Sequence, residues 1–202
     1  MKQIDVRFLD TKAERDQFYR LRHRVFTVEK QWVESEEKET DKFDEFGEFL
    51  GVFFQGVLVA CMRIIKHEFP WMFDSVFAHL LKEPIKKDPQ SIELTRYFVA
   101  PEFRKIQTID GQKILFSKLL QQYTYEFCLI RNYIYTYSAF TYRVYRLFQL
   151  QGLPAVNLNE DIEIGDDMET AVPVLMRADR TNIERFLDKG LAEVVNFHHL
   201  RN

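Results

Sequence analysis

A chain of 202 residues is long enough for one domain with a well-filled core. Charged residues at 29% and hydrophobic ones at 46% are ordinary globular proportions and exclude a disordered chain. A net charge of −3 denies the chain the basic surface that a general nucleic-acid binder needs. Aromatics stand out: 19 Phe and 9 Tyr against 7 Gly suggest a core of large rings, some available to line a pocket. Cys61 and Cys128 lack metal spacing and sit in apolar runs, so they read as buried thiols in a reducing compartment. The first ten residues lack the apolar region of a signal peptide, and no apolar run is long enough for a bilayer. The expectation is a soluble cytoplasmic protein without a membrane partner.

In chain order, Ile4 to Phe8 alternates apolar and polar as a first strand. Thr11 is placed to cap a helix from Lys12, with Glu14 completing a capping box. Phe18, Leu21, Val25 and Val28 follow at helical spacing as its buried stripe, and Arg22 and Phe26, four apart, share a face. Residues 33–46 are the most acidic stretch; within it Asp41 and Asp44 interleave with Phe43 and Phe46, which draw the segment onto the body. Phe49 to Phe54 and Val57 to Ile65 predict a hairpin around Gln55-Gly56, its second strand central and carrying Arg63. Trp71 to Leu81 reads as a short helix, and Gly111 to Arg131 as a strong one after a polar loop. Tyr133 to Ser138 is a strand, and Tyr142 to Gln151 a helix closed by Gly152 and Pro154. Ala155 to Leu158, Glu163 to Ile164 and Ala171 to Met176 read as late strands, and Thr181 to Gly190 as a surface helix. Without repeats or linkers, one α/β domain over residues 1–202 is the organisation expected.

The central stretch is Ile92 to Ala100. It is apolar enough for a buried strand, ends at Pro101, and carries Glu93 and Arg96 in its middle. Buried charges are costly unless paired or used by a ligand. Strict alternation sends these two side chains to opposite faces, into different environments, whereas a β-bulge brings both into one cleft; the bulge is the expectation here.

The run Leu21-Arg22-His23-Arg24-Val25-Phe26, then Trp32, then Asp41-Lys42-Phe43-Asp44, resembles the acyl-homoserine lactone synthases of bacterial quorum sensing, the LuxI type. So do Cys61-Met62-Arg63, Asp74-Ser75-Val76-Phe77 and Ile92-Glu93-Leu94-Thr95-Arg96-Tyr97, in the same order. The resemblance covers roughly the first half of the chain and is loose beyond it. It implies a GNAT-like fold: a mixed, twisted sheet flanked by helices, with a V-shaped cleft between splayed strands. It also implies the reaction. The amino group of S-adenosylmethionine is acylated from an acyl-carrier-protein thioester, and the methionine carboxylate then closes onto its own γ-carbon and expels methylthioadenosine. S-adenosylmethionine is a substrate; no cofactor and no metal is implied.

The residue types suit that chemistry. Glu93 is the candidate base for the substrate ammonium, and burial raises its pKa in the useful direction. Arg96 and Asp44 are placed with it in the catalytic set. Asp41 and Asp44 face the substrate's positive groups, and Arg22, Arg63 or Arg96 offers its carboxylate a planar fork. The competing reading makes Arg22 and Arg63 internal partners of Asp41 and Asp44. Phe26 and Trp32 offer rings to adenine or sulfonium, although such rings also serve as core. Backbone N–H groups at Tyr97 and Phe98 would meet the oxyanion. Thr95, Phe116, Leu119, Tyr135, Tyr137 and Leu175 are the acyl-pocket candidates. Tyr137 stands where family members often carry something smaller, so a short, branched or aryl acyl group is expected.

Coenzyme A-dependent GNAT enzymes usually carry a glycine-rich turn after this strand, whose N–H groups bind pyrophosphate. Residues 103–111 hold only Gly111, which favours a carrier protein, with Arg104, Lys105, Lys113 and Lys118 as its docking surface. Two alternatives stay open: a coenzyme A-dependent acyltransferase acting on another amine, and a non-catalytic homologue that binds acyl groups or carrier protein.

Overall fold

Strand β1 (Ile4–Phe8) forms where the alternation predicts it, with Ile4 and Val6 fully buried. Helix α1 (Lys12–Arg22) starts at the expected capping box: the Glu14 N–H donates to Thr11 Oγ1 at 3.2 Å, and the Thr11 N–H donates to Glu14 Oε2 at 3.0 Å. Beyond Arg22 the helix widens into a π-helical segment, His23–Glu29, in which the Lys30 N–H donates to the Val25 carbonyl at 3.0 Å. Phe18 and Val25 are buried as the stripe requires, but Val28 is 62% exposed. The wider turn rotates later positions off the α-helical stripe. Strands β2 (Glu48–Phe54) and β3 (Val57–Lys66) pair as the predicted hairpin, with Gln55 and Gly56 at φ 51° and 82°, a turn that suits the twist of the flanking strands. Gly51 is required there by crowding: a Cβ would lie 2.6 Å from a Leu9 methyl and 2.7 Å from one of Leu58.

The computed structural model describes residues 3–178 and 195–197, which form two compact units. The first unit holds residues 3–64, 96–127 and 195–197. Its strand order is β10-β1-β2-β3, with β10 (Val195–Phe197) parallel to β1 and the other pairs antiparallel. Strand β10 was not anticipated, because three residues give alternation too little length to register. Phe18 anchors this unit's ring core, 4.6 Å from Phe49 and 5.6 Å from Phe98 between centroids. Residues 107–114 correct the sequence reading. The expected loop and first helical turn are instead a small hairpin, β5 (Gln107–Ile109) with β6 (Gln112–Ile114), around Asp110-Gly111 at φ 49° and 81°. Asp-Gly is a strong hairpin signal, so helix α2 begins only at Phe116 and runs to Arg131.

The second unit holds residues 65–95 and 128–178. Its strand order is β4 (Ser91–Val99), β7 (Tyr135–Thr141), β9 (Ala171–Arg177), β8 (Ala155–Asn157). β4 and β7 are parallel and the remaining pairs antiparallel. Helix α3 (Tyr142–Leu150) is capped by Thr141 and followed by Gly152 at φ 78°. Two expectations fail here. Residues 71–81 form two 3-10 turns, Met72–Asp74 and Ala78–Leu80, rather than one helix, and residues 163–164 are not a strand. In the former stretch the N–H groups of Asp74, Ser75, Leu80 and Leu81 bond three residues back rather than four, and the latter is too short to pair. The helix expected at 181–190 lies outside the described residues. Among these residues no helix is long and apolar enough to cross a membrane.

The α1 cap gives a signed prediction. The Arg7 guanidinium, helped by N–H groups of Thr11 and Asp10 and against the opposing effect of burial, holds the Glu14 carboxyl down to about 2. Glu14→Gln is expected to cost about 0.5–2 kcal/mol at pH 7. Because the folded value lies below the ordinary 4.5, the wild-type advantage is present above that pH and lost as pH falls toward 2. Urea unfolding of both proteins at pH 7 and about pH 2.5 measures it, and an equal difference at the two pH values would contradict it.

Candidate active site

Three guanidiniums and three carboxylates meet in the first unit. Arg22 projects from the end of α1, Arg63 from β3 and Arg96 from β4, while Glu39, Asp41 and Asp44 come from the acidic connection. Asp41 is the hub. Its Oδ1 accepts from Arg63 at 2.6 Å and from the Phe43 N–H at 2.9 Å; its Oδ2 accepts from Arg22 at 2.8 Å and Arg96 at 2.6 Å. Asp44 Oδ1 accepts from Arg22 at 2.8 Å and Arg63 at 2.5 Å, and its Oδ2 takes the Asp41 N–H at 2.7 Å. Glu39 pairs with Arg22 and lies 3.3 Å from Arg96. Gly47 makes room for this: a Cβ there would sit 2.7 Å from the Arg63 stem.

The charges balance, three against three, which is what permits their burial. Burial pushes the Asp41 carboxyl up, but Arg63, Arg96 and Arg22 outweigh it and hold the group well below the carboxylate range. Burial, with the like charge of Arg96, brings Arg22 down to about 10 against the pull of Asp44 and Asp41. Burial lowers Arg96 too, with Asp41 opposing. Both arginines are cationic at neutral pH. Arg22 and Arg63 are thus engaged with Asp41 and Asp44, the internal pairing that the sequence allowed. Glu39 is the member that the sequence reading missed. Counting charges was the available signal, since three buried arginines against two aspartates call for one more anion.

The edge of the cluster is what a ligand can reach. Side-chain exposure is zero at Arg22 and Arg63 but 17% at Asp41 and 15% at Arg96. Phe26, on the π-helical segment, lies under the Arg96 guanidinium at 5.6 Å and stacks on Trp32 at 5.6 Å and 23°. Trp32 is 48% exposed, an open ring beside the cluster. Arg96 has φ 54°, a left-handed residue inside β4. Tyr97 and Phe98 follow it directly. The Tyr97 hydroxyl meets the Ser117 carbonyl at 3.4 Å and Gln121 Nε2 at 3.2 Å, and the buried Phe98 ring packs against Phe18 and Phe26.

Glu93 belongs to the second unit and is fully buried. Its two oxygens accept the N–H groups of Met72 at 3.0 Å and Phe73 at 2.9 Å. Burial favours the neutral acid; these donors oppose that by stabilising the carboxylate. The turn is itself fixed, because Asp74 Oδ2 accepts the Trp71 N–H at 2.8 Å and the indole donates to the Lys66 carbonyl at 2.9 Å. Registers place Glu93 beside Tyr137 and Tyr137 beside Leu175, so the three share one face, with the Tyr137 ring 5.6 Å from Trp71. Tyr135, two residues back, shares that face. The β4–β7 register covers Ser91–Glu93, while β7 pairs onward with β9 to Thr141. Beyond Glu93, β4 carries the buried Thr95.

The remaining candidates are placed as follows. Phe116 and Leu119 are buried on α2 in the first unit, with Phe116 packed on Phe54 and Phe103. Arg104 is engaged on all three nitrogens, two with Glu29 and Nε with the Val99 carbonyl. Lys105 and Lys113 are exposed and Lys118 is half-buried. Both cysteines are buried, and burial pushes the Cys128 thiol up to about 12 and Cys61 well above its ordinary value.

The cluster predicts a large effect of removing one cation. Arg63→Leu leaves Asp41 and Asp44 undercompensated in a buried place and is expected to cost about 3–5 kcal/mol. Thermal unfolding should show a fall on the order of 10 °C, and a fall under about 2 °C would contradict the reading.

The profile of the autoinducer synthase family matches residues 7–186. Among solved structures, the chain superposes on a coenzyme A-dependent acyl-homoserine lactone synthase, BjaI, with S-adenosylmethionine and isopentyl-CoA, at TM-score 0.77 and 21% identity, over 100% of this chain and 96% of that one. It superposes on the synthase LasI at TM-score 0.77 and 19% identity, over 92% and 95%. FeeM, an N-acyl amino acid synthase from uncultured soil microbes, matches at TM-score 0.61 and 16% identity, over 93% and 100%. The expected GNAT-like mixed α/β class is thereby borne out. With the profile spanning most of its length, the chain belongs to the autoinducer synthase family and is an acyltransferase.

Proposed function

We propose that this enzyme makes an acyl-homoserine lactone from S-adenosylmethionine and an acyl thioester. The observation that carries the reading is the accessible edge of the ion cluster. It presents one acid, Asp41, and one guanidinium, Arg96, beside the stacked rings of Phe26 and Trp32. S-adenosylmethionine brings a matching set: an ammonium, a carboxylate, a sulfonium and an adenine. Asp41, held charged, meets a positive group; Arg96 offers its outer face to the carboxylate; the rings take the adenine or sulfonium. Asp44 acts through Asp41, fixing it by its backbone N–H and sharing Arg22 and Arg63.

Glu93, three residues before Arg96 in the same strand, is the base. It takes a proton from the ammonium, directly or through one water, and the freed amine attacks the thioester carbonyl. N–H groups at Tyr97 and Phe98 receive the oxyanion, and collapse expels the thiol and leaves an amide. The substrate carboxylate then attacks its own γ-carbon, the carbon–sulfonium bond breaks, and methylthioadenosine departs neutral.

The donor proposed is an acyl-carrier protein. In support, residues 107–114 pair with each other as a hairpin rather than forming a glycine-rich phosphate cradle. With Arg104 held by Glu29, docking falls to Lys105, Lys113 and Lys118. A coenzyme A donor is the second reading, favoured by the likeness to BjaI, a coenzyme A-dependent enzyme. Thr95, Tyr135, Tyr137 and Leu175, on Glu93's side of its unit, are proposed to limit the acyl group to a short, branched or aryl one.

The test incubates the protein with S-adenosylmethionine and matched acyl-carrier-protein or acyl-CoA thioesters, following methylthioadenosine and product mass. Equal amounts of methylthioadenosine and acyl-homoserine lactone are expected, with the carrier-protein donor faster and losing rate as salt rises. Acylation of another amine without methylthioadenosine would overturn the reaction. A faster coenzyme A donor would overturn the carrier assignment, and a dominant long straight-chain product the pocket assignment.

A further inference from the structure

Two ion pairs join the π-helical segment to the loop that follows β4, and the active site as proposed uses neither. Arg24 grips Glu102 with both terminal nitrogens, at 2.9 and 2.7 Å. Arg104 grips Glu29 in the same bidentate way, at 2.5 and 2.8 Å, while its Nε holds the Val99 carbonyl at 3.0 Å. The pairs are crossed in sign: the segment supplies a cation at one end and an anion at the other, and the loop supplies their opposites. Sliding the segment so that Arg24 met Arg104 or Glu29 met Glu102 would set like charges together, so the crossing fixes register.

The π geometry is what lets both pairs form. On an α-helix, neighbours on one face are three or four residues apart; a π-helix bonds each residue to the fifth along. Arg24 and Glu29 are five apart, and the neighbouring Lys30 N–H to Val25 carbonyl bond has that same spacing. Between the two anchors lies Phe26, under Arg96 and stacked on Trp32, whose N–H donates to the Phe26 carbonyl at 2.9 Å.

We infer that Arg24–Glu102 and Glu29–Arg104 form a two-point latch that seats the π-helical segment, and that Arg24, Glu29, Glu102 and Arg104 thereby position Phe26 and Trp32 against Arg96 for S-adenosylmethionine. The inference rests on the proposed substrate. These are positioning residues: they reach the substrate only through the rings. Each pair is partly exposed, at 50% and 47% for Arg24 and Glu102, so its opening is a local event rather than unfolding.

The experiment uses Arg24→Glu, Glu102→Arg, their double exchange, and Glu29→Gln. Each is measured for S-adenosylmethionine affinity by calorimetry, for both KM values, for kcat and for Tm. Each single variant is expected to weaken S-adenosylmethionine binding about threefold to tenfold and to raise its KM alike, with kcat and the acyl-donor KM changed less than about twofold. The double exchange restores the pair with its charges reversed and should return affinity to within about twofold of wild type. Single variants that bind S-adenosylmethionine as wild type does overturn the latch. So does a uniform loss in both KM values, kcat and Tm that the double exchange does not repair, which is what a merely structural contact would give. A wild-type protein that binds no S-adenosylmethionine overturns the functional reading itself, and the latch with it.

Discussion

The interaction on which the rest depends is the convergence of Arg22, Arg63 and Arg96 on Asp41. Each cation comes from a different element, α1, β3 and β4, so one aspartate ties the N-terminal helix to β3 and to the part of β4 from Arg96 on, which belongs to the same unit. Buried charge of this kind gives little net stability compared with an apolar core of the same shape. What it gives is position. Asp41 stays ionised because three guanidiniums outweigh its burial, and Arg96 stays where Asp41 holds it, despite a left-handed backbone that costs roughly 1–3 kcal/mol in a non-glycine residue. Asp44 and Glu39 complete the neutralisation. One acid and one guanidinium are left facing outward beside two aromatic rings.

Glu93 is held by different means. Its two oxygens accept backbone N–H groups of a 3-10 turn, and that turn is braced by Asp74 and the buried Trp71. Such backbone donors stabilise the carboxylate form against the cost of burial. A base for an ammonium substrate must be able to take a proton. Asp41, clamped by three cations, would be a poor one. In the proposed mechanism, environment gives two roles to chemically similar acids of one chain.

Most of the framework was legible because its signals were local. The Thr11–Glu14 capping box, the Gln55-Gly56 turn and the buried run of β3 each follow from a few adjacent residues, and each is found where expected. The central strand was legible from Glu93 and Arg96, charges that an ordinary core strand would not carry. What escaped was set by tertiary partners. Glu39 looked like the other acids of its stretch until three arginines needed three anions. The support of Glu93 by residues 72–73 comes from backbone atoms, which no side-chain pattern announces. The hairpin at 107–114 was announced, by Asp110-Gly111, but helical periodicity downstream was extended over it. The widening after Arg22 left the α-helical spacing intact on paper and still carried Val28 to the surface.

The account stands most directly on Glu93 as the proton acceptor. Glu93→Gln removes the ability to take a proton and keeps one oxygen to accept a backbone N–H, while its amide nitrogen loses the bond to the other. Single-turnover acylation of S-adenosylmethionine, followed by rapid quench with saturating acyl donor, is the measurement. The account predicts a rate lower by about 10²–10⁴, with the affinities for S-adenosylmethionine and acyl donor within about threefold of wild type. A variant that acylates within about tenfold of the wild-type rate would contradict it.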